Sequence, residues 1–229
     1  MNKTLVDASE VQKLFEVGLH LGHKKNRLHP KARKFVYRIE KGVSIIDLTI
    51  TVNQLKEAEK FLQQAGKDKK TLLIVATKKI AVQIATKLAR EHNLSFVTNK
   101  WLPGLLTNFE TIIKNVKKLE ELKEQKGDES WEKLTKHEKG QVSKHIARLE
   151  RFYGGLTGLT KKPDVIFVVD VKKEFNAVIE ARRSNIPVVG IADTNADPEG
   201  IDFPIVANDD SPTAVEFLIQ KLISAYVKG

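Results

Sequence analysis

The chain has 229 residues, 41% of them hydrophobic, enough for a sizeable core and too many for a disordered polymer. It has no cysteine, which excludes a disulfide framework, a thiolate metal site and a cysteine nucleophile. Lys and Arg number 39 against 29 Asp and Glu, a formal charge of +10. Residues 1–159 hold 31 basic and 18 acidic side chains, residues 160–229 hold 8 and 11. A basic body with a mildly acidic end points to a polyanionic partner met by one face.

No apolar run reaches the roughly 18 residues that span a bilayer. Met1 to Glu10 lacks an apolar signal core, so neither a secretory nor a transit peptide is expected. The densest basic stretch follows Gly22: His23, Lys24, Lys25, Arg27, His29, Lys31, Arg33 and Lys34, then Arg38 and Lys41. Glu40 is the only acid between His23 and Lys41, and Phe35 and Tyr37 sit inside the run. Phosphate binding needs cations with reach and no competing acid, and this stretch supplies both. Gly22 and Pro30 predict a loop here.

Phe35–Ile39 and Val43–Leu48 flank Lys41-Gly42, the pattern of a β-hairpin. Thr51 to Ala65 reads as a helix ending near Gly66. Leu72–Ala76, Val165–Val169 and Val188–Ala192 are unbroken apolar runs, each predicted as a strand buried on both faces. Helices follow: Ile80 to His92, with Val82, Ala85, Leu88 and Ala89 on one face, Phe175 to Ser184, and Ser211 to Val227. In the last, Ser211 suits the N-cap and Pro212 the first turn. Strands alternating with helices predict βαβ units and a parallel sheet.

The middle departs from that alternation. Ile112, Ile113, Val116, Leu119 and Leu122 recur at helical spacing from Asn108 to Lys126. A polar break, Gly127-Asp128-Glu129-Ser130, separates them from a second helix, Thr135 to Phe152, with Val142, Ile146 and Leu149 as its stripe. The pair reads as an antiparallel helical hairpin over 108–152, inserted into an α/β domain made of 1–107 and 153–229.

Lys78-Lys79 follow a buried strand, at the carboxyl edge where open α/β sheets bind ligands. Val75-Ala76-Thr77-Lys78-Lys79 has no glycine, and neither a Walker loop nor a dinucleotide fingerprint occurs anywhere. No nucleophile elbow or defensible pair of catalytic acids is present, so a small-molecule enzyme is the weaker alternative. His20 and His23 stand three apart, too few ligands for a zinc site without help from elsewhere. Asp193-Thr194-Asn195-Ala196-Asp197 opens like a calcium loop, but Pro198 and Pro204 occupy the positions that need glycine and glutamate. Trp101, beside Leu102, Leu105 and Leu106, has the surroundings of a core residue; exposed, it would stack on a base.

These motifs, in order, resemble the universal small-subunit ribosomal protein S2 family in its bacterial form. The resemblance covers nearly the whole chain. It rests on Gly18-Leu-His-Leu-Gly-His23 with Pro30, Gly42-Val-Ser-Ile-Ile-Asp-Leu48, Ala76-Thr-Lys-Lys79, and Trp101-Leu-Pro-Gly-Leu-Leu-Thr-Asn108. It continues with Lys133-Leu-Thr-Lys136, Gly154-Gly155, Pro163-Asp164, Ile186-Pro-Val188, Asp193 through Asp202, and Asn208-Asp-Asp210. Pro103 departs from the glycine of many members, and the acidic stretch common after the last helix is not in this sequence.

The resemblance implies a flavodoxin-like three-layer α/β domain with a mainly parallel sheet and a protruding coiled-coil hairpin. It implies a non-enzymatic place in the cytoplasmic ribosome, on the solvent side of the small subunit between head and body. The implied contacts are small-subunit ribosomal RNA and neighbouring ribosomal proteins, with no cofactor, small-molecule substrate or membrane. A further implied role is helping to dock the large OB-repeat ribosomal protein that captures messages. The expected RNA-binding residues are His23, Lys24, Lys25, Arg27, Lys31, Arg33 and Lys34, extended by Lys78, Lys79, Lys100, Trp101 and Asn108. Lys114, Lys117 and Lys118 are the candidates on the hairpin.

Overall fold

The computed structural model describes residues 7–126, 129–132 and 134–229. Residues 1–6, Gly127-Asp128 of the polar break and Lys133 of the family motif lie outside them.

The chain opens with a helix absent from the sequence reading, α1 (Ala8–Glu16), started by Asp7, whose carboxylate accepts from the Ser9 amide. The stretch expected to be a loop is instead strand β1 (Leu21–Lys24) followed by 3-10 turns at Lys25–Arg27 and Pro30–Phe35. The hairpin is present as β2 (Val36–Glu40) and β3 (Val43–Ile46), antiparallel. Lys41 and Gly42 both have positive φ, 47° and 81°, as the tight primed hairpin turn requires. With β1 they form a three-stranded sheet, order β1-β3-β2.

Helix α2 (Leu48–Lys67) is capped by Asp47, which accepts from the Thr49 amide, and runs through Gly66 rather than stopping there. A Cβ at Gly66 would lie 2.1 Å from the Tyr226 carbonyl oxygen, so the glycine serves a close helix approach, not a terminus. Strand β4 (Leu72–Val75), helix α3 (Lys79–Glu91) and a short unforeseen strand β5 (Ser95–Val97) come next. Then follow α4 (Phe109–Gln125), a one-turn α5 (Glu129–Glu132) in the second half of the expected polar break, and α6 (Lys136–Tyr153). Strand β6 (Val165–Val169), α7 (Phe175–Arg183), β7 (Val188–Ala192), an unforeseen β8 (Phe203–Val206) and α8 (Pro212–Val227) complete the chain. Ser211 does precede α8, but its hydroxyl pairs with Thr213 Oγ1 and makes no cap to the backbone.

The main sheet is wholly parallel, order β5-β4-β6-β7-β8. Numbered within that sheet, this is the 2-1-3-4-5 order of the flavodoxin-like doubly wound fold, so the expected fold class holds. Alternate strand residues enter two cores. Leu72, Ile74, Val165, Phe167 and Val169 face α1, α2, α3 and α8; Leu73, Val75, Ile166 and Val168 face α7, the 101–109 segment and the root of α4. The buried stripe of α3 is Ala81, Ala85 and Ala89, with Val82 half-buried beside it. Alanines let α3 lie close to the sheet. α4 and α6 are in contact: Asn115 Nδ2 donates to the Tyr153 hydroxyl at 3.2 Å and Lys123 pairs with Glu150.

Candidate nucleic-acid interface

The small sheet is fastened to the carboxyl edge of the main sheet through Thr194. The His23 amide donates to Thr194 Oγ1 at 2.8 Å, and the His29 amide to the Thr194 carbonyl oxygen at 2.8 Å. A Cβ at Gly22 would stand 2.6 Å from the Thr194 methyl, so only glycine allows this approach. The consequence is that the basic 23–34 stretch is held by its backbone, with its cations directed outward. Lys24, Lys25, Arg27 and Arg33 are exposed, and none has a carboxylate within ion-pair distance among the described residues.

Two expected phosphate ligands stand differently. Lys31 Nζ lies 2.9 Å from Asp197 and 3.0 Å from Glu199, and Lys34 lies 3.6 Å from Glu199. The stretch lacks competing acids in sequence, but the 193–202 loop brings them in space. These partners hold the Lys31 ammonium above its ordinary pKa, chiefly through the hydrogen bonds to Asp197 and Glu199. All of these groups are substantially exposed, so the pairs are weak and compete only modestly with a phosphate.

His23 is not a free cation either. Its ring is 13% exposed, with Nδ1 2.9 Å from Asp193 Oδ2, Nε2 3.4 Å from Asp210 Oδ2, and Nε2 2.8 Å from Asn195 Nδ2. The Asp193 carboxylate raises the imidazole pKa above its ordinary value against the opposing effect of burial. His20, the other half of the expected histidine pair, is elsewhere: its ring stacks on Phe15 at 4.1 Å. The pair therefore does not converge, and among the described residues the groups whose ligand atoms lie within 4.8 Å of one another are His23, Asp193 and Asp210.

Lys78 and Lys79 separate. Lys79, the first residue of α3, is exposed. Lys78 turns into the switch point beside β4 and β6, where its Nζ lies 2.6 Å from Asp210, 2.7 Å from Asp209 and 3.3 Å from Asp170. Burial works against its charge, but the bonds to Asp209 and Asp210 outweigh it and hold the ammonium well above the usual lysine range. Burial and the neighbouring Asp170 push the Asp209 carboxyl up to about 7. The place where a flavodoxin-like sheet would receive a phosphate is thus acidic and already occupied by a lysine, so Lys78 is corrected from phosphate ligand to internal counter-ion.

Trp101 is corrected in the same way. It is 5% exposed, packed with Leu105, Leu106 and Phe109, and its ring faces no solvent where a base could stack. Its Nε1 donates to Glu180 Oε1 at 3.0 Å. Glu180, which the sequence reading missed, also accepts from the amides of Gly104 at 2.8 Å, Leu106 at 3.1 Å and Thr107 at 3.4 Å. Burial pushes this carboxyl up, yet these donors together hold it below the ordinary value. Gly104, at φ 90°, makes the turn that aims the amides, and Pro103 sits beside it without disturbing the arrangement. Asn108 is exposed at the start of α4, where its Oδ1 accepts from Thr111 Oγ1 at 2.9 Å. Lys100, Lys114, Lys117 and Lys118 are exposed.

Known proteins resemble this chain along nearly its whole length. A family model described as ribosomal protein S2 matches residues 14–229. The small ribosomal subunit protein uS2 of Petrotoga mobilis is 41% identical over 219 residues, covering 96% of this chain and 76% of that relative.

Proposed function

The chain belongs to the ribosomal protein S2 family, a structural and non-enzymatic family, and from that membership we propose that it is built into the small subunit of the cytoplasmic ribosome as an RNA-binding scaffold. The observation that carries the RNA reading is the set Lys24, Lys25, Arg27 and Arg33: exposed, unpaired by carboxylates among the described residues, and anchored by a rigid backbone. The backbone bonds to Thr194 fix where these cations leave the surface, and each contact with a phosphate releases counterions.

Lys31 and Lys34 join after exchanging Glu199 and Asp197 for phosphate. Lys79 and Lys100 widen the surface. The helices α4 and α6 form an arm over 108–152, distinct from the α/β domain of 1–107 and 153–229, and Lys114, Lys117 and Lys118 on α4 are its contacts to RNA or a neighbouring ribosomal protein. Docking of the large OB-repeat message-capturing protein belongs to the same proposal, resting on family membership alone.

Sucrose-gradient sedimentation of a lysate tests the reading. The protein is expected in the small-subunit fractions at moderate salt. A protein that remains at the top of the gradient contradicts it.

A further inference from the structure

A concave pocket of about 360 Å³ opens where α4, α6 and Leu102 meet. Its walls come from one face of each helix. Asn115 and Lys118 are three residues apart on α4, and His145, Arg148 and Phe152 follow at spacings of three and four on α6. Among the described residues no acid lines it, although both helices are rich in Glu. Lys118 and Arg148 are exposed, and neither has a carboxylate within ion-pair distance among the described residues. A merely solvated helix face is convex, with its lysines interleaved by glutamates; this surface is neither.

Behind the cations the lining is apolar and aromatic. Leu149 is buried, and Leu102, Phe152 and Tyr153 are half-buried. The Arg151 guanidinium lies 5.8 Å from the centre of the Phe152 ring, a further cation beside a stacking surface. Asn115 Nδ2 donates to the Tyr153 hydroxyl oxygen at 3.2 Å. Among the described residues that bond leaves the phenol proton and the Asn115 carbonyl oxygen without partners, a donor and an acceptor side by side.

Charge selects a polyanion, and the aromatic wall selects which part of it. A paired RNA helix presents phosphates but keeps its bases stacked inside. An unstacked nucleotide brings a flat ring and a phosphate together. An acidic peptide would satisfy the cations but leave the rings and the Asn115–Tyr153 pair unused.

We infer that this pocket receives one unpaired nucleotide of RNA. The base stacks on Phe152 and Tyr153, its polar edge meets Asn115 and the Tyr153 hydroxyl, and Lys118 and Arg148 hold the flanking phosphates. Base stacking, expected of Trp101, moves to the aromatic pair at the end of α6. The inference rests on the RNA reading above and adds to it a place where the RNA must be single-stranded.

Binding of the full chain to small-subunit ribosomal RNA is measured by filter binding across a salt series. Phe152→Leu keeps an apolar side chain in the wall and removes the ring. It should weaken binding roughly 5–100-fold, as loss of one base stack does, with the salt slope unchanged because stacking releases no counterions. Arg148→Gln should instead flatten the slope by about 1. Tyr153→Phe, which keeps the ring, should weaken binding roughly 2–10-fold through the lost hydrogen bond. Circular dichroism checks the helices of each variant. Ultraviolet crosslinking of the parent complex, read by mass spectrometry, should place a nucleotide on the tryptic peptide from Phe152 to Lys161; this readout stands even if Phe152→Leu unfolds. A parent that does not bind the RNA overturns the RNA reading and this inference together. If the parent binds but folded Phe152→Leu and Tyr153→Phe match its affinity, or the RNA crosslinks elsewhere and not to that peptide, this inference alone falls. Parental RNA affinity with loss of a neighbouring ribosomal protein from the small subunit would likewise overturn it, making the pocket a protein contact.

Discussion

Trp101 Nε1 donates to Glu180 Oε1 across 3.0 Å, tying the segment that leads into α4 to the middle of α7. Glu180 is the hub of that segment, since three backbone amides also converge on it. Glu180→Gln replaces an all-acceptor carboxylate with an amide that must present protons to donors. The expected cost is about 2–3 kcal/mol, the worth of hydrogen bonds to a charged group. Urea unfolding measures it.

The same carboxyl predicts an acid limb. Its folded pKa lies below the ordinary 4.5, so its stabilisation is present above that value and is lost as pH falls through the folded pKa. Melting temperature should fall on acidification below about pH 4.5, and Glu180→Gln should show a shallower fall over that window. Equal slopes for parent and variant would remove Glu180 from the explanation.

How much of this was readable beforehand follows from what each feature depends on. β4, β6 and β7 are buried on both faces, so their apolar runs announce them. β5 and β8 lie at the sheet edges, are three and four residues long, and β8 carries Pro204, which an edge tolerates. Nothing local marks them as strands. The cations of 23–34 were legible as charge, yet the acids that restrain Lys31, Lys34 and Lys78 come from residues far along the chain. Glu180 looked like any acid on an amphipathic helix, because its partners lie over seventy residues away.

Lys78→Met separates the counter-ion role from phosphate binding. Removing Lys78 takes the ammonium from Asp209, which is 3% exposed and whose carboxyl, already pushed up to about 7, then takes up a proton; the hydrogen bonds lost should lower stability by about 1–3 kcal/mol. The salt dependence of RNA binding should stay as in the parent. A flatter salt dependence with unchanged stability would return Lys78 to the phosphate-binding set.

Glu199→Gln acts in the opposite sense. It frees Lys34 and half-frees Lys31 without disturbing the core. RNA binding should tighten, because Lys31 and Lys34 no longer give up Glu199 to reach phosphate, while the salt slope stays within about 1 of the parent's. Thermal stability should move by less than about 1 kcal/mol, as for exposed ion pairs generally. Filter binding across a salt series gives both quantities.

Gly66→Ala tests the approach of α2 to α8. Alanine favours a helix by about 1 kcal/mol over glycine. Here the added Cβ would press on the Tyr226 carbonyl oxygen at 2.1 Å, so a net loss of about 1–3 kcal/mol is expected instead. A stabilised variant would mean that the two helices do not pack as described.

The most direct test of the central claim is the salt dependence of binding to small-subunit ribosomal RNA by the variant carrying Lys24→Gln, Lys25→Gln, Arg27→Gln and Arg33→Gln. Loss of four phosphate contacts should weaken binding and flatten the slope of log affinity against log salt by about 3 to 4. A correctly folded variant whose slope matches the parent would contradict the account.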